Sequence, residues 1–536
     1  MSSVACNRIA ASPPSPQGSF PNTGPCGGLV QPLLALRSWY MRGAACVSLA
    51  VLATVGVVGS TASAAGSGWH VTPVRHLGRR IGNPQVAAVN RVGTSVVAFA
   101  SGYSLTLVRR PVRASKFEVA GRISARRPIV VNLTALADGR FLLVYAAGGR
   151  LLARGIDASG RFAGMAHFLA TGYTTTGPLG DTIPLVVVDS DASRAVVVWG
   201  AVNGATGEVA GAVEDQAGWS SSKIFVQAPA ETLFIPQLVH DSQDRFLVSV
   251  HGANGDTTAV MWGLAGGSLR WEQVTPPQAT DGSGIASYNG ATLASLDGTV
   301  TAGWQDASAA LVVSTWDGST WSTPERAISA SYLPNGLPAV IYPTFVSDGS
   351  RAGIVWSDGS KGLLGPVKAT IRASSTESWS APLVFPHARG APAYPEDAFW
   401  FTASGGLAGV WEGNPLKGST SNGFYFAGLY VGHVGPNGSS ATALSRTQHP
   451  NNGRYWFVLP SAAGLHTIVW AGAKGHEYST AVTANGAVRP KQPLPACAFP
   501  GPAASNPDAS PQVMAFSNNI GPVGAPGSKC PAVLLW

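Results

Sequence analysis

Apolar residues along this chain come in short runs, and the runs recur. "GRFLLVY", "SRAVVVW", "GTVTAGW", "SRAGIVW", "GLAGVW" and "LHTIVW" end on Tyr145, Trp199, Trp304, Trp356, Trp411 and Trp470. "DRFLVSVH" at His251 fills the gap between Trp199 and Trp304, and "TSVVAFA" near Phe99 fits at the start. From Tyr145 to Trp411 the successive intervals are 54, 52, 53, 52 and 55 residues. Short apolar, β-branched runs bounded by Gly, Pro, Asp and Ser predict strands. An acid marks the turn before several of them: Asp138, Asp191, Asp244, Asp297 and Asp348, spaced 53, 53, 53 and 51. Upstream lies a run often opened by Pro ("RPIVVNL", "IPLVVV", "LPAVIY"), and downstream a third run such as "ALVVSTW". A fourth follows, usually led by an aromatic: Phe162, Trp219, Trp271, Trp321 or Trp379. The repeating unit is therefore four short antiparallel strands in roughly 50 residues.

Composition fits this reading. Of 536 residues 65 are Gly and 39 Pro, and charged residues make up 12%. Long solvent-facing helices need more charge on their outer faces, whereas many short strands joined by turns do not. The hydrophobic share of 45%, with 16 Trp, excludes wholesale disorder.

The N-terminal region has a different character. Residues 44–59, "AACVSLAVLATVGVVG", form an apolar run preceded by Met41-Arg42 and followed by Ser60-Thr61-Ala62-Ser63-Ala64-Ala65. A basic start, an apolar core and an A-x-A site predict a secretory signal peptide over 41–64, cleaved near Ala64. The alternative is an uncleaved anchor, since the run is near the lower limit for spanning a bilayer. Residues 1–40 read as a disordered extension or as sequence upstream of the true start at Met41. A secreted, extracellular chain is expected, with association to the cell envelope an open alternative and no membrane insertion after cleavage. The segment 1–64 holds Arg8, Arg37 and Arg42 and no acid, so the formal charge of +8 falls to about +5 beyond it. Arg109-Arg110, Arg113, Arg122, Arg126 and Arg127 form the densest basic group. It reads as a solvated face rather than the basic stripe of a nucleic-acid binder, so no nucleic-acid partner is expected. Cys497 and Cys530 are the only cysteines beyond the signal, and in a secreted chain they are expected to pair as a disulfide.

At this repeat the chain resembles bacterial secreted β-propellers, from about residue 68 to the C-terminus. The resemblance implies an all-β fold, a single propeller of four-stranded antiparallel blades. Blades are expected over 65–493, and a Pro-rich tail with closing strands over 494–536. "GWHVTPVRHL" (68–77) matches a fourth strand, "SPQVMAF" (510–516) a first and "PAVLLW" a second. The two chain ends would thus complete one blade, leaving no open sheet edge. Eight complete units plus this split one can be counted; eight blades are expected, with seven and nine also compatible with the spacing. "LPACAFPGPAASNPDASP" reads as an irregular passage.

"STWDGSTW" (314–321) is distantly similar to the Asp box of sialidase-like propellers, Ser-x-Asp-x-Gly-x-Thr-Trp, but one residue short. Its place in the repeat makes it a third-to-fourth-strand turn. Asp317 can accept turn amides, Gly318 can take positive φ, and Trp321 can pack between blades. Asp189-Ser190-Asp191-Ala192-Ser193 resembles the start of a calcium loop but lacks the Gly and the distal Glu. "RRP" at Arg126–Pro128 resembles the Arg-Ile-Pro opening of a sialidase, without the remaining arginines, Tyr–Glu pair and acid of that site. "GHEY" lacks the second His of a metal motif, so no metal and no cofactor are expected.

Strand alternation puts first-to-second and third-to-fourth turns on one face, and the longer loops on the other. Those loops cover 171–183, 386–400, 412–423 and 446–455. Glu396, Asp397, Trp400 and Glu412 are the candidate binding residues, because a Trp platform beside carboxylates suits sugar rings. The expected function is a monomeric binding or interaction module for glycans, cell-wall polymers or a protein partner. A glycoside-active hydrolase or lyase and a purely structural envelope protein are the alternatives. No catalytic residue can be assigned, and a non-catalytic role is favoured.

Overall fold

Among the described residues of the computed structural model, nine antiparallel sheets follow one another along the chain. Residues 70–535 are described except for 78–82, 172–184, 204–205, 230–233, 253–259, 280–291, 307, 330–339, 359–365, 387–397, 413–427, 437, 446–455, 462–463, 472–476, 495–498, 506–511 and 518–532. Among the described residues, the one helical element is the short 3-10 turn Val74–Leu77. No helix there is long and apolar enough to cross a membrane.

The sheets are numbered as blades. Blade 1 runs from Asn83–Val89 to Glu118–Ser124, blade 2 from Ile129–Ala135 to His167–Thr171, and blade 3 from Leu185–Ser190 to Lys223–Pro229. Blade 4 spans Phe234–His240 to Trp271–Val274, blade 5 Thr292–Leu296 to Glu325–Ile328, and blade 6 Val340–Ser347 to Leu383–Val384. Blade 7 spans Phe399–Phe401 to Gly438–Ser445, and blade 8 Trp456–Ser461 to Gln492–Pro493. Blade 9 draws Phe499–Ser505, Gln512–Ser517 and Val533–Leu535 from one end of the chain and Val71–Pro73 from the other. Eight sheets have four strands. In blade 3 the fourth strand is split into Gly218–Trp219 and Lys223–Pro229, both on Thr206–Asp215. With it the blades among the described residues number nine, one more than the eight expected and the upper of the alternatives left open by the repeat. The split is a shared feature. In blades 2, 5 and 8 an isolated bridge (Ile156–Phe162, Trp316–Trp321, Val482–Val488) likewise precedes a gap and the rest of the fourth strand.

Blade 9 departs in detail from the sequence pattern. Val71 pairs with Leu535 and Pro73 with Val533, so residues 71–73 are a fourth strand, as their pattern implied. The first strand is Phe499–Ser505, inside the passage expected to be irregular; Gln512–Ser517 becomes the second and Val533–Leu535 the third. Pro500 and Pro502 hid it, because proline cannot donate to a ladder. The strand tolerates them by a register shift between Pro500 and Ala503 and by having a ladder on one side only. Blade 6 deals with Pro343 in the same way, through a shift between Ile341 and Thr344.

First strands lie against one another in sequence order through blade 7, and Phe499–Ser505 lies against both Trp456–Ser461 and Asn83–Val89. Blades 7 and 8 meet through Trp400 and His466, whose rings stack at 4.2 Å.

The core sits between blades, not within them. A sheet has two faces, and each must be covered. Tyr145 packs with blade 1, Trp199 with blade 2, Trp304 with blade 4, Trp356 with blade 5, Trp411 with blade 6 and Trp470 with blade 7. Each terminal aromatic thus fills the seam with the preceding blade, which is why it recurs at the blade period. Room for the next seam comes from small neighbours: beside Trp304, a Cβ on Gly303 would strike the Phe345 ring of blade 6.

Candidate functional site

The "STWDGSTW" turn joins the third and fourth strands of blade 5. Asp317 Oδ1 accepts the amides of Thr320 and Ser319, both at 2.7 Å, and Oδ2 accepts the Thr320 hydroxyl at 3.0 Å. These bonds, the Thr320 amide foremost, hold the Asp317 carboxyl far below the usual carboxylate range. Trp316 and Trp321 flank the turn as a bridged pair and pack into the seam with blade 4. From blade 4, the Arg245 guanidinium lies over the Trp316 ring at 5.4 Å. Gly318 has φ +103°, and a Cβ there would collide with that guanidinium. Gly318→Ala is therefore expected to cost more than about 1 kcal/mol, read as a lower urea midpoint. An unchanged midpoint would show that the turn is not pressed against blade 4.

The same arrangement recurs across this face, using arginines to which the sequence pattern assigns no role. Arg140, Arg194, Arg245 and Arg351 open second strands, and each pairs with an Asp of its own turn: Asp138, Asp191, Asp241 and Asp348. In blade 4 the capping acid is Asp241; the periodic Asp244 instead takes positive φ, +56°. Each arginine also reaches the next blade. Arg140 lies 3.9 Å from Glu214, Arg194 donates to the carbonyls of Ala265 and Ser268, and Arg351 donates to that of Thr402. Where arginine is missing, other groups span the gap. Asn90 donates to the carbonyls of Gly139 and Ala158, Ser375 N donates to Asp297, and Ala403 N donates to the Ala484 carbonyl. Blades are thus latched turn to turn.

The calcium-loop resemblance at Asp189–Ser193 resolves in the same terms. Asp191 Oδ1 accepts the amides of Ser193 and Arg194, and Oδ2 pairs with Arg194. Asp189 Oδ1 accepts the Ser190 amide, and Oδ2 accepts from His240 of blade 4. These carboxylates are engaged within the protein. Among the described residues, no group of three or more His, Cys, Asp or Glu side chains is placed to hold a metal ion.

The basic group of blade 1 is not uniformly a solvated face. Arg109 and Arg110 are 7% and 5% exposed. Arg109 is bound by Glu118 and by the Ser159 carbonyl of blade 2, and Arg110 donates to the Ala114 carbonyl. Burial disfavours the Arg110 charge and lowers its pKa. Their burial is not visible in the sequence because their partners lie in a turn and a neighbouring blade.

The four candidate residues expected on the opposite face fare differently. Glu396 and Asp397 lie outside the described residues, as do Cys497 and Cys530. Glu412 ends the second strand of blade 7, its backbone opposite Leu429; its side chain is outside the described set. Trp400 is in the first strand of blade 7, two residues before the Thr402–Gly406 turn and so at the turn-face end of the blade, 9% exposed, with one ring face covered by His466. Burial there pushes the His466 imidazole down to about 4, so it is neutral at physiological pH. Two further acids close second strands on the opposite face. Asp306 accepts from Ser308 Oγ and the Ala310 amide and faces Arg326 at 3.6 Å; Asp358 pairs with Lys368 at 2.5 Å. Their signal, Trp-x-Asp in "WQD" and "WSD", is present in the chain, though too short to stand out from the strand pattern.

No protein-family profile and no curated protein matches the chain. Solved structures similar to it include the α-L-arabinofuranosidase of Fusarium graminearum, 12% identical, covering 56% of this chain and 91% of that one with a TM-score of 0.33. The BP39L lectin from Burkholderia pseudomallei is 11% identical over 77% of this chain and 99% of that one, with a TM-score of 0.38. The WD40 domain of SCAP from fission yeast is 8% identical over 87% and 97%, with a TM-score of 0.40. The blade topology itself defines the class: an all-β, propeller-type repeat protein.

Proposed function

We propose that this chain is a secreted binding propeller that engages glycans or cell-wall polymers through the face opposite its latched turns. The observation that carries this reading is the unequal use of the two faces. The described turns spend their aspartates on capping their own turns and on holding arginines that reach the next blade, which suits a scaffold. The strand ends flanking 172–184, 387–397, 413–427 and 446–455 all belong to the other face, where loops are free to vary and to carry contacts. Glu396 and Asp397 within 387–397 and Glu412 beside 413–427 offer carboxylates for the hydroxyl recognition that sugar rings need.

The test is a glycan and wall-polymer array probed with the purified protein, alongside a variant with residues 387–397 replaced by a Gly/Ser linker. Binding by the parent, loss in the loop variant and retention in Asp317→Ala are expected. Binding that survives the loop change but is lost in Asp317→Ala would move the site to the turn face. No binding to any glycan would favour a protein partner or an architectural role.

A further inference from the structure

Blades 3 and 4 are joined by one contact unlike the arginine latches. His240, the last residue of its strand in blade 4, donates from Nδ1 to Asp189 Oδ2 of blade 3 at 2.7 Å. The Asp189 side chain is 6% exposed and that of His240 24%. We propose that this seam is a pH-sensitive joint: protonated His240 clamps the buried Asp189 carboxylate across it, and loss of that proton loosens it.

The surrounding charges leave this role to His240. From blade 3, Asp191 is paired with Arg194, whose guanidinium lies 5.2 Å from the centroid of the Phe246 ring. His240 lies against the same ring at 5.4 Å. From blade 4, Asp241 is paired with Arg245, and Asp244 adds a further negative charge. Among the described residues, the imidazole is thus the cation set against Asp189. Burial alone would favour the neutral ring, but the hydrogen bond to Asp189 and the charges of Asp189, Asp244 and Asp191 outweigh it and raise the His240 pKa. A histidine raised in this way stabilises the fold fully below its unfolded value of about 6.5. That contribution is lost as pH rises through the higher folded value. The joint is therefore firm in mildly acidic surroundings and slack in mildly alkaline ones. His466 and His167, both lowered by burial, act in the opposite sense, so a whole-molecule melting curve mixes the two effects.

The decisive experiment follows the His240 ring by NMR in histidine-labelled full-length protein, assigned by its absence in His240→Gln. The midpoint is expected above about 6.5 in the parent and back near that value in Asp189→Asn. Hydrogen exchange at 189–194 and 240–245, corrected for intrinsic rates, is expected to rise between about pH 6 and 8.5 in the parent and to stay flat in His240→Gln. The rise should approach tenfold for each unit by which the ring midpoint exceeds the free value. A parent midpoint at or below about 6.5, an identical midpoint in Asp189→Asn, or equal pH dependence in parent and His240→Gln would overturn the proposal.

Discussion

Arg194→Ala is expected to destabilise the protein by about 3–5 kcal/mol, because it leaves a buried carboxylate without its cation. The side chains of Arg194 and Asp191 are 3% and 0% exposed. One guanidinium serves two blades: Nε and Nη2 bind Asp191, Nη1 donates to the carbonyls of Ala265 and Ser268, and Nη2 donates to that of Asp244. Arg194→Lys should recover little, since a single ammonium cannot reproduce the planar fork. Replacing both partners with apolar residues of similar volume should cost less than Arg194→Ala alone, since no charge is then left buried. Urea unfolding of the three variants measures this. Full rescue by lysine would mean that charge, rather than fork geometry, carries the latch.

Trp304→Ala is the second large effect, expected at about 3–5 kcal/mol. Its side chain is 0% exposed and packs with Val239, Leu247 and Met261 of blade 4 and with Leu293 and Val312 of its own blade. A cavity there opens the seam between two blades rather than a pocket inside one. Trp304→Phe keeps part of the contact and should lose less. A loss under about 1 kcal/mol for Trp304→Ala, by the same unfolding measurement, would show that the seam collapses around the gap.

The parts of this fold that could be read from the sequence are those that repeat within one unit. The strand period, the terminal aromatics and the third-to-fourth turn at Asp317 each leave a mark in residue type that recurs or stands out along the chain, even where, as with the aromatics, the contact is made with the preceding blade. What could not be read joins different units. Arg194 donates to Ala265 and Ser268, 71 and 74 residues away, through backbone carbonyls that leave no trace in residue type. Asp189 resembles a calcium ligand because its partner, His240, lies 51 residues on, in the next blade. Phe499–Ser505 is hidden because Pro500 and Pro502 argue locally against a strand, while an inner position with one ladder tolerates them. Among the candidate binding residues, Trp400 carried too little information. A Trp near acids looks the same in sequence whether it faces solvent or, as here, a histidine of the adjacent blade.

The central claim is that the turn face is a set of latches between blades. Hydrogen exchange of the Arg194→Ala variant tests it most directly. Because Arg194 belongs to blade 3 and its carbonyl acceptors to the turns of blade 4, faster exchange is expected at 241–245 and 265–268 as well as at 191–194, with little change in blade 7. Faster exchange confined to 191–194, with blade 4 as protected as in the parent, would contradict the latch.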